Sequence, residues 1–222
     1  MGTDIHMYAE EKVNGVWEEV PELDSIYDER NYTTFGVLAG VRLPDTKGLV
    51  CISSPKGLPH DISSDVLRES ENCDSHSHSF LTLAELLEFN WEANFLVYRN
   101  VDMQGYQKFK KGLNYSSCGL FSGKYKFKSN AEMDRLYEDE RRQLCHVDAG
   151  VIDLGAYSYY TTVGVEESHL DACYYFVNSV IPKLCKRIRS SNTLLPAESS
   201  ENPLPEETGN PKDIRIVFWF DS

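Results

Sequence analysis

The strongest pattern in the chain is a two-residue alternation near its start. In "TDIHMYAEEKVNGVWEEV", Ile5, Met7 and Ala9 fall on one face of an extended segment, and Asp4, His6 and Tyr8 on the other. Asn14-Gly15 interrupts it with the dipeptide that suits a two-residue type I′ turn, so the segment predicts a β-hairpin. The period then changes. Phe35, Leu38 and Ala39 give a helical stripe after "DERNYTTFGVLAGVR", with Thr33 or Thr34 as the expected cap. Proline and glycine break "LPDTKGLVCISSPKGLPHD" into a loop.

Further along, "SSDVLRES" predicts a short helix capped by Ser63 or Ser64. Thr82 and Glu85 form a capping box ahead of Leu83, Leu86 and Leu87, the expected inner face of the next helix. Residues 95–128 read as short strands and turns. "SNAEMDRLYEDERRQL" predicts a charged, exposed helix capped by Ser129 or Asn130. "YYTTVGVEE" predicts a strand, and "SHLDACYYFVNSVIPKLCKRI" a long amphipathic helix that Pro182 kinks. Residues 190–211 are rich in Ser, Asn, Pro and Glu and read as an exposed, mobile loop. The chain closes on "DIRIVFWFD", whose β-branched and aromatic run predicts a buried strand. Strands at both ends with helices between them imply an α+β fold: one domain over residues 1–222, with the hairpin and the last strand adjacent in a mainly antiparallel sheet and helices packed on it.

Composition narrows the function. The net charge of −13 over 222 residues argues against binding bulk DNA, RNA or anionic membrane. A small nucleotide-like ligand in a local pocket remains compatible, because a few arginines or a metal ion reverse the field locally. The N-terminus lacks a signal-peptide pattern, and no apolar run reaches the length of a membrane span. Six cysteines without C-x-x-C spacing suggest free thiols, and hence a cytoplasmic protein. The sequence leaves the oligomeric state open, a homo-oligomer included.

Five segments, "DIHMYAE", "RNYTTFGVLAGVR", "PKGLPHDIS", "HSHSFLTLAEL" and "DIRIVFWFD", taken in order, resemble a family of hypothetical proteins of tailed bacteriophages and some bacterial genomes. The resemblance covers most of the chain. It implies a source, here the cytoplasm of an infected host, and no mechanism. By association with other small phage proteins, it suggests a role against host defence.

Histidines mark the candidate chemistry. Asp4, His6, Asp74, His76 and His78 are all ligand-type residues for a divalent metal such as Zn or Mn, should their two segments adjoin. On an extended H-x-H both rings share a face. Without metal, His6, His76 and His78 are candidate catalytic residues, one a general base and another a general acid. The bland alternative is a polar loop ahead of a helix. Arg30 can hold a phosphate in two-point fashion, with Asn31 and Tyr32 on a base or sugar, unless Arg30 merely pairs with Asp28 or Glu29. Lys56 beside Gly57, with His60 near, offers a second phosphate contact or only a rigid proline turn. Lysines and aromatics alternate over 106–128, where stacking on a base competes with ordinary edge strands. Cys73, beside Asp74, is a nucleophile or ligand candidate, with a buried, inert thiol as the favoured alternative. His146 and His169 read as structural.

The leading expectation is hydrolysis of a small phosphorylated molecule, such as a cyclic nucleotide immune signal, in a His/Asp pocket. The alternatives are a non-catalytic protein that sequesters the signal and a binder of a host protein.

Overall fold

A computed structural model of the protein describes residues 2–71, 74–117, 125–144, 158–191 and 209–221. The fold is α+β, and the chain divides into two compact units. The larger holds residues 1–44, 48–95 and 167–222; the smaller holds 45–47 and 96–166.

The larger unit is built on a four-stranded antiparallel sheet in the order β2-β1-β8-β4. These strands are β1 (Asp4–Val13), β2 (Val16–Glu19), β4 (His76–Thr82) and β8 (Ile214–Asp221). Asn14 and Gly15 take φ of 51° and 85°, the two left-handed residues that a type I′ turn requires. The expected adjacency of the chain's two ends holds: Asp4 faces Asp221, and the register runs on to Glu11 opposite Ile214. β8 is buried from Ile214 to Phe220 because β1 and β4 flank it and both its faces are covered. On one face Ile5, Met7, Ala9, Leu81, Ile216, Phe218 and Phe220 join the main core. Helix α1 (Tyr32–Ala39) adds Phe35 and Leu38, α3 (Leu83–Glu88) adds Leu83 and Leu86, and α7 (Ile181–Ser191) adds Leu184 and Ile188. On the other face Val217 and Trp219 pack under Val66 of α2 (Ser64–Ser70), with Leu58, Ile62, Tyr8 and Phe80 around them.

Several local expectations change. Asn31, not a threonine, caps α1, because its carboxamide oxygen accepts from the N–H groups of Thr33 and Thr34. The capping box of Thr82 and Glu85 is present, but Leu87 is exposed, since only Leu83 and Leu86 lie on the packed side of so short a helix. The long helix expected around Pro182 is broken only near its start. After a short α6 (His169–Ala172) and a turn at Cys173, a π-helical turn at Phe176–Val180 runs directly into α7, and Pro182, which lacks an N–H, follows just after that turn.

In the smaller unit a second sheet has the order β3-β5-β7-β6, formed by Thr46–Lys47, Asn94–Asp102, Ser158–Ser168 and Tyr125–Phe127. β6 runs parallel to β7. Met103–Lys110, expected as strand and turn, is a helix, α4. Asp102 caps it, and Tyr106 is buried with Val101, Met133 and Val163. α5 (Asn130–Leu144) is capped by Ser129, one of the two expected residues, in a capping box with Glu132. Residues 192–208, which hold most of the loop expected over 190–211, and His146 lie outside the described residues.

Candidate functional site

The polar face of β1 meets the end of β8 at Asp4, His6 and Asp221. His6 stands opposite Trp219 and donates from Nε2 to Asp221 Oδ2 at 3.1 Å. Both side chains are part-exposed, at 37% and 33%. The Asp4 N–H donates to Asp221 Oδ1 at 3.2 Å. The hydrogen bond from His6 is the main reason the Asp221 carboxyl lies below its ordinary 3.8; burial opposes it, and the Asp4 N–H and Arg30 add to it.

Arg30 does not pair with its sequence neighbours. Its Nε and Nη2 form a two-point clamp on Asp4, at 2.7 and 2.6 Å. A carboxylate matches the planar fork, and the clamp fixes the guanidinium while Nη1 bonds to no described residue. Gly2 permits this arrangement, since a Cβ there would lie 2.3 Å from Arg30 Nη1. Tyr32 accepts the Thr3 N–H at 3.2 Å and so holds the same N-terminal segment. Asn31 serves as the α1 cap and as a donor to Ala172 C=O at 2.8 Å. Its Oδ1 is used up, and one Nδ2 proton remains.

A pocket of about 300 Å³ lies here, lined by Asp4, Ile5, His6, Met7, Ser25, Tyr27, Asp28 and Asp221. The strand pattern adds main-chain donors. Val20 N–H bonds Ala9 C=O, so odd-numbered residues of β1 turn their peptide groups toward β2. β2 has ended before Ile5 and Met7, and their N–H groups bond to no described residue.

The three candidate histidines are not brought together. β8 separates β1 from β4, so His6 and His78 stand two strand spacings apart, about 10 Å. Trp219 lies between them, with ring centroids 6.0 Å from His6 and 5.9 Å from His78. Its indole is 1% exposed, and its N–H has no partner among the described residues. H-x-H also fails to keep its rings on one face. A bulge between His76 and Ser79 inserts one residue, with Ser77 at φ 54°, so His76 stacks toward Phe220 on the opposite face from His78. Asp74 is exposed. Among the described residues no group of three His, Cys, Asp or Glu is placed to hold a metal, so the five-ligand site expected from the sequence does not assemble there.

His78 is tied down as a structural group. Ser75 Oγ donates its one proton to Ser70 C=O at 3.1 Å, so it must accept from His78 Nε2, 3.0 Å away. Burial, then the neighbouring His76, holds the His78 imidazole below its ordinary 6.5. His169 is fixed in the same way: buried, Nδ1 donating to Ala93 C=O at 2.6 Å and Nε2 accepting from Val50 N–H at 3.2 Å. Lys56 pairs with Glu85 of the α3 cap at 2.5 Å and lies over Phe80. Gly57 N–H donates to His78 C=O, which covers the edge of β4. His60 is exposed, and neither it nor Lys56 lines the His6 pocket. Of the 106–128 stretch, Lys110 pairs with Asp134, and 118–124 lie outside the described residues, as does Cys73.

One polar constellation went unread in the sequence. Arg215 of β8 is 3% exposed and donates to Glu10 at 2.6 Å and to Asp61 at 2.7 Å. Its guanidinium lies 3.9 Å from the Trp17 ring, whose Nε1 donates to the same Asp61 carboxylate at 2.9 Å. The signal was a lone arginine in an otherwise apolar terminal strand, which burial obliges to find carboxylates. Burial raises the Asp61 carboxyl, but Arg215 outweighs it and holds the group below 3.8. Among the described residues no helix is long and apolar enough to cross a membrane. Searches against protein-family models, curated proteins and solved structures found no match to this chain.

Proposed function

We propose that the His6 pocket is an acid–base centre that hydrolyses a small phosphorylated molecule, with a nucleotide signal such as a cyclic nucleotide as the substrate class. The observation that carries the reading is the His6–Asp221 pair, 3.1 Å apart, beside an arginine clamped at two points by Asp4. A carboxylate on Nε2 fixes the tautomer and leaves Nδ1 as the free nitrogen. That nitrogen takes a proton from water as the water oxygen attacks phosphorus. The bond from phosphorus to the leaving oxygen breaks, and the imidazolium or solvent returns the proton to it. Arg30 Nη1 and the Ile5 N–H supply donors for the phosphoryl oxygens.

Asp4, Asp28 and Asp221 make the rim acidic. An anionic substrate therefore depends on Arg30, and the Asp4 clamp is what keeps that cation in place. The same donors favour a second reading, sequestration without chemistry, because binding requires no water aligned for attack.

The test is incubation with a panel of cyclic and linear nucleotides, with and without Mn²⁺ or Zn²⁺, read by mass spectrometry. His6→Ala and Asp221→Asn should each abolish turnover, while Arg30→Gln should weaken binding. Ligand bound tightly and released intact on heating would establish sequestration. Unchanged and unbound nucleotides under every condition would sink both readings.

A further inference from the structure

β2 is the outermost strand of its sheet. Val13 and Val16 flank the two-residue turn and so form a hydrogen-bonded pair. Alternation from that pair turns the main-chain N–H and C=O of Trp17 and Glu19 away from β1. The Val20 to Ala9 bond, at 2.9 Å, fixes the same alternation from the other end. Those outward groups bond to no described residue. A strand edge with free, evenly spaced donors and acceptors is a template for another strand.

A cleft of about 660 Å³ lies against this edge, lined by Val16, Trp17, Glu18, Glu19, Asp61 and Asp65 among others, and by no lysine or arginine. Val13 and Val16, 38% and 63% exposed, give the hairpin an apolar tip. The negative charge is only partly compensated, by Arg68, which pairs with Asp65 at 3.2 Å. Burial first, then the charges of Asp24, Asp65 and Glu69, push the Glu19 carboxyl above the ordinary 4.5, and Arg68 offsets only part of this.

We propose that the β2 edge and its cleft dock an extended, cationic peptide segment, added to the sheet alongside β2 with its lysine or arginine side chains among Glu18, Glu19 and Asp65. The free peptide groups of Trp17 and Glu19 select a main chain, and the carboxylates select its charge and repel nucleic acid. A lone metal ion does not fit as occupant, since the described residues hold no group of three ligands arranged for one. This site is separate from the His6 pocket, with which it shares no lining residue.

The test uses the full chain and a short synthetic peptide alternating Lys and Val, with two controls: the same peptide alternating Glu and Val, and a Lys/Val peptide N-methylated on the edge that would face β2. NMR amide shifts locate binding, and titration gives affinity. The lysine peptide should shift the amides of Trp17 and Glu19. Its affinity should fall as salt rises from about 0.05 to 0.5 M. The double substitution Glu19→Gln with Asp65→Asn should weaken binding roughly tenfold with an unchanged unfolding curve. The glutamate and N-methylated peptides should not bind. Absence of shifts at Trp17 and Glu19 would overturn the proposal. So would equal binding of the N-methylated peptide, which would mean charge attraction alone, or shifts confined to the His6 pocket.

Discussion

Replacing Arg215 by methionine isolates what a buried charge contributes here. Methionine keeps an unbranched side chain that can still lie on Trp17 and Phe80, so the change removes the guanidinium more than the packing. Glu10 is 0% exposed and would keep only the Ser63 N–H, at 2.7 Å. Asp61 is 39% exposed and can turn to water. The cost therefore falls on Glu10. Removing one partner of a buried pair costs about 3–5 kcal/mol, chiefly the penalty of the stranded charge. Against a total stability of about 5–15 kcal/mol this is a large fraction. At roughly 2–4 °C per kcal/mol for a chain of this size, the midpoint should fall by about 6–20 °C. Urea and thermal unfolding followed by circular dichroism at pH 7 measure it. The double variant Glu10→Gln with Arg215→Met should recover at least half of the loss, because no buried charge remains. A loss below about 1 kcal/mol for Arg215→Met, or a double variant no better than the single one, would refute the reasoning.

Other consequences are quicker to check. His78 is held below 6.5 by burial, so the folded protein binds fewer protons there than the unfolded chain. Its contribution to stability is complete above pH 6.5 and is lost as pH falls below that value, and His78→Gln should flatten this part of a stability-against-pH curve. Ser77 sits at φ 54° in the bulge, so Ser77→Gly should be near neutral or stabilising, whereas Ser77→Val should cost more than about 1 kcal/mol in urea unfolding. Thr82→Ala removes the hydroxyl of the α3 capping box and should cost about 1 kcal/mol; no loss would mean that tertiary packing alone holds that helix start. Phe218→Ala, at a fully buried position in the central strand, should cost about 3–5 kcal/mol, read as a lowered denaturation midpoint.

Local chemistry made much of the molecule legible in advance. Asn14-Gly15 prescribes a turn that few other dipeptides accept, and Thr82 with Glu85 prescribes a helix start. A run such as "IVFWF" has nowhere to go but the middle of a sheet. Each of these acts within a few residues, so the sequence determines it without knowing the fold. The same reasoning placed Asp4 and His6 on one face. It could not place Met103–Lys110, where the capping oxygen of Asp102 and the burial of Tyr106 favour a helix over the strand that alternation suggested.

What only the tertiary structure decided is which of these groups meet. His6 and His78 share a face but are held apart because β8 lies between their strands. His76 is on the other face because a single inserted residue at Ser77 reverses the alternation. Arg30 passes over its acidic neighbours for Asp4, twenty-six residues away, because α1 and the N-terminal strand bring that carboxylate into line with its fork. Glu10, Asp61 and Arg215 find one another only when β1, β8 and the loop before α2 close over them. Strand order, bulges and the choice of partners in long-range ion pairs depend on contacts that local composition does not specify. The residue types of the site were therefore readable in the sequence, and the choice among them was made by the strand that runs through the middle.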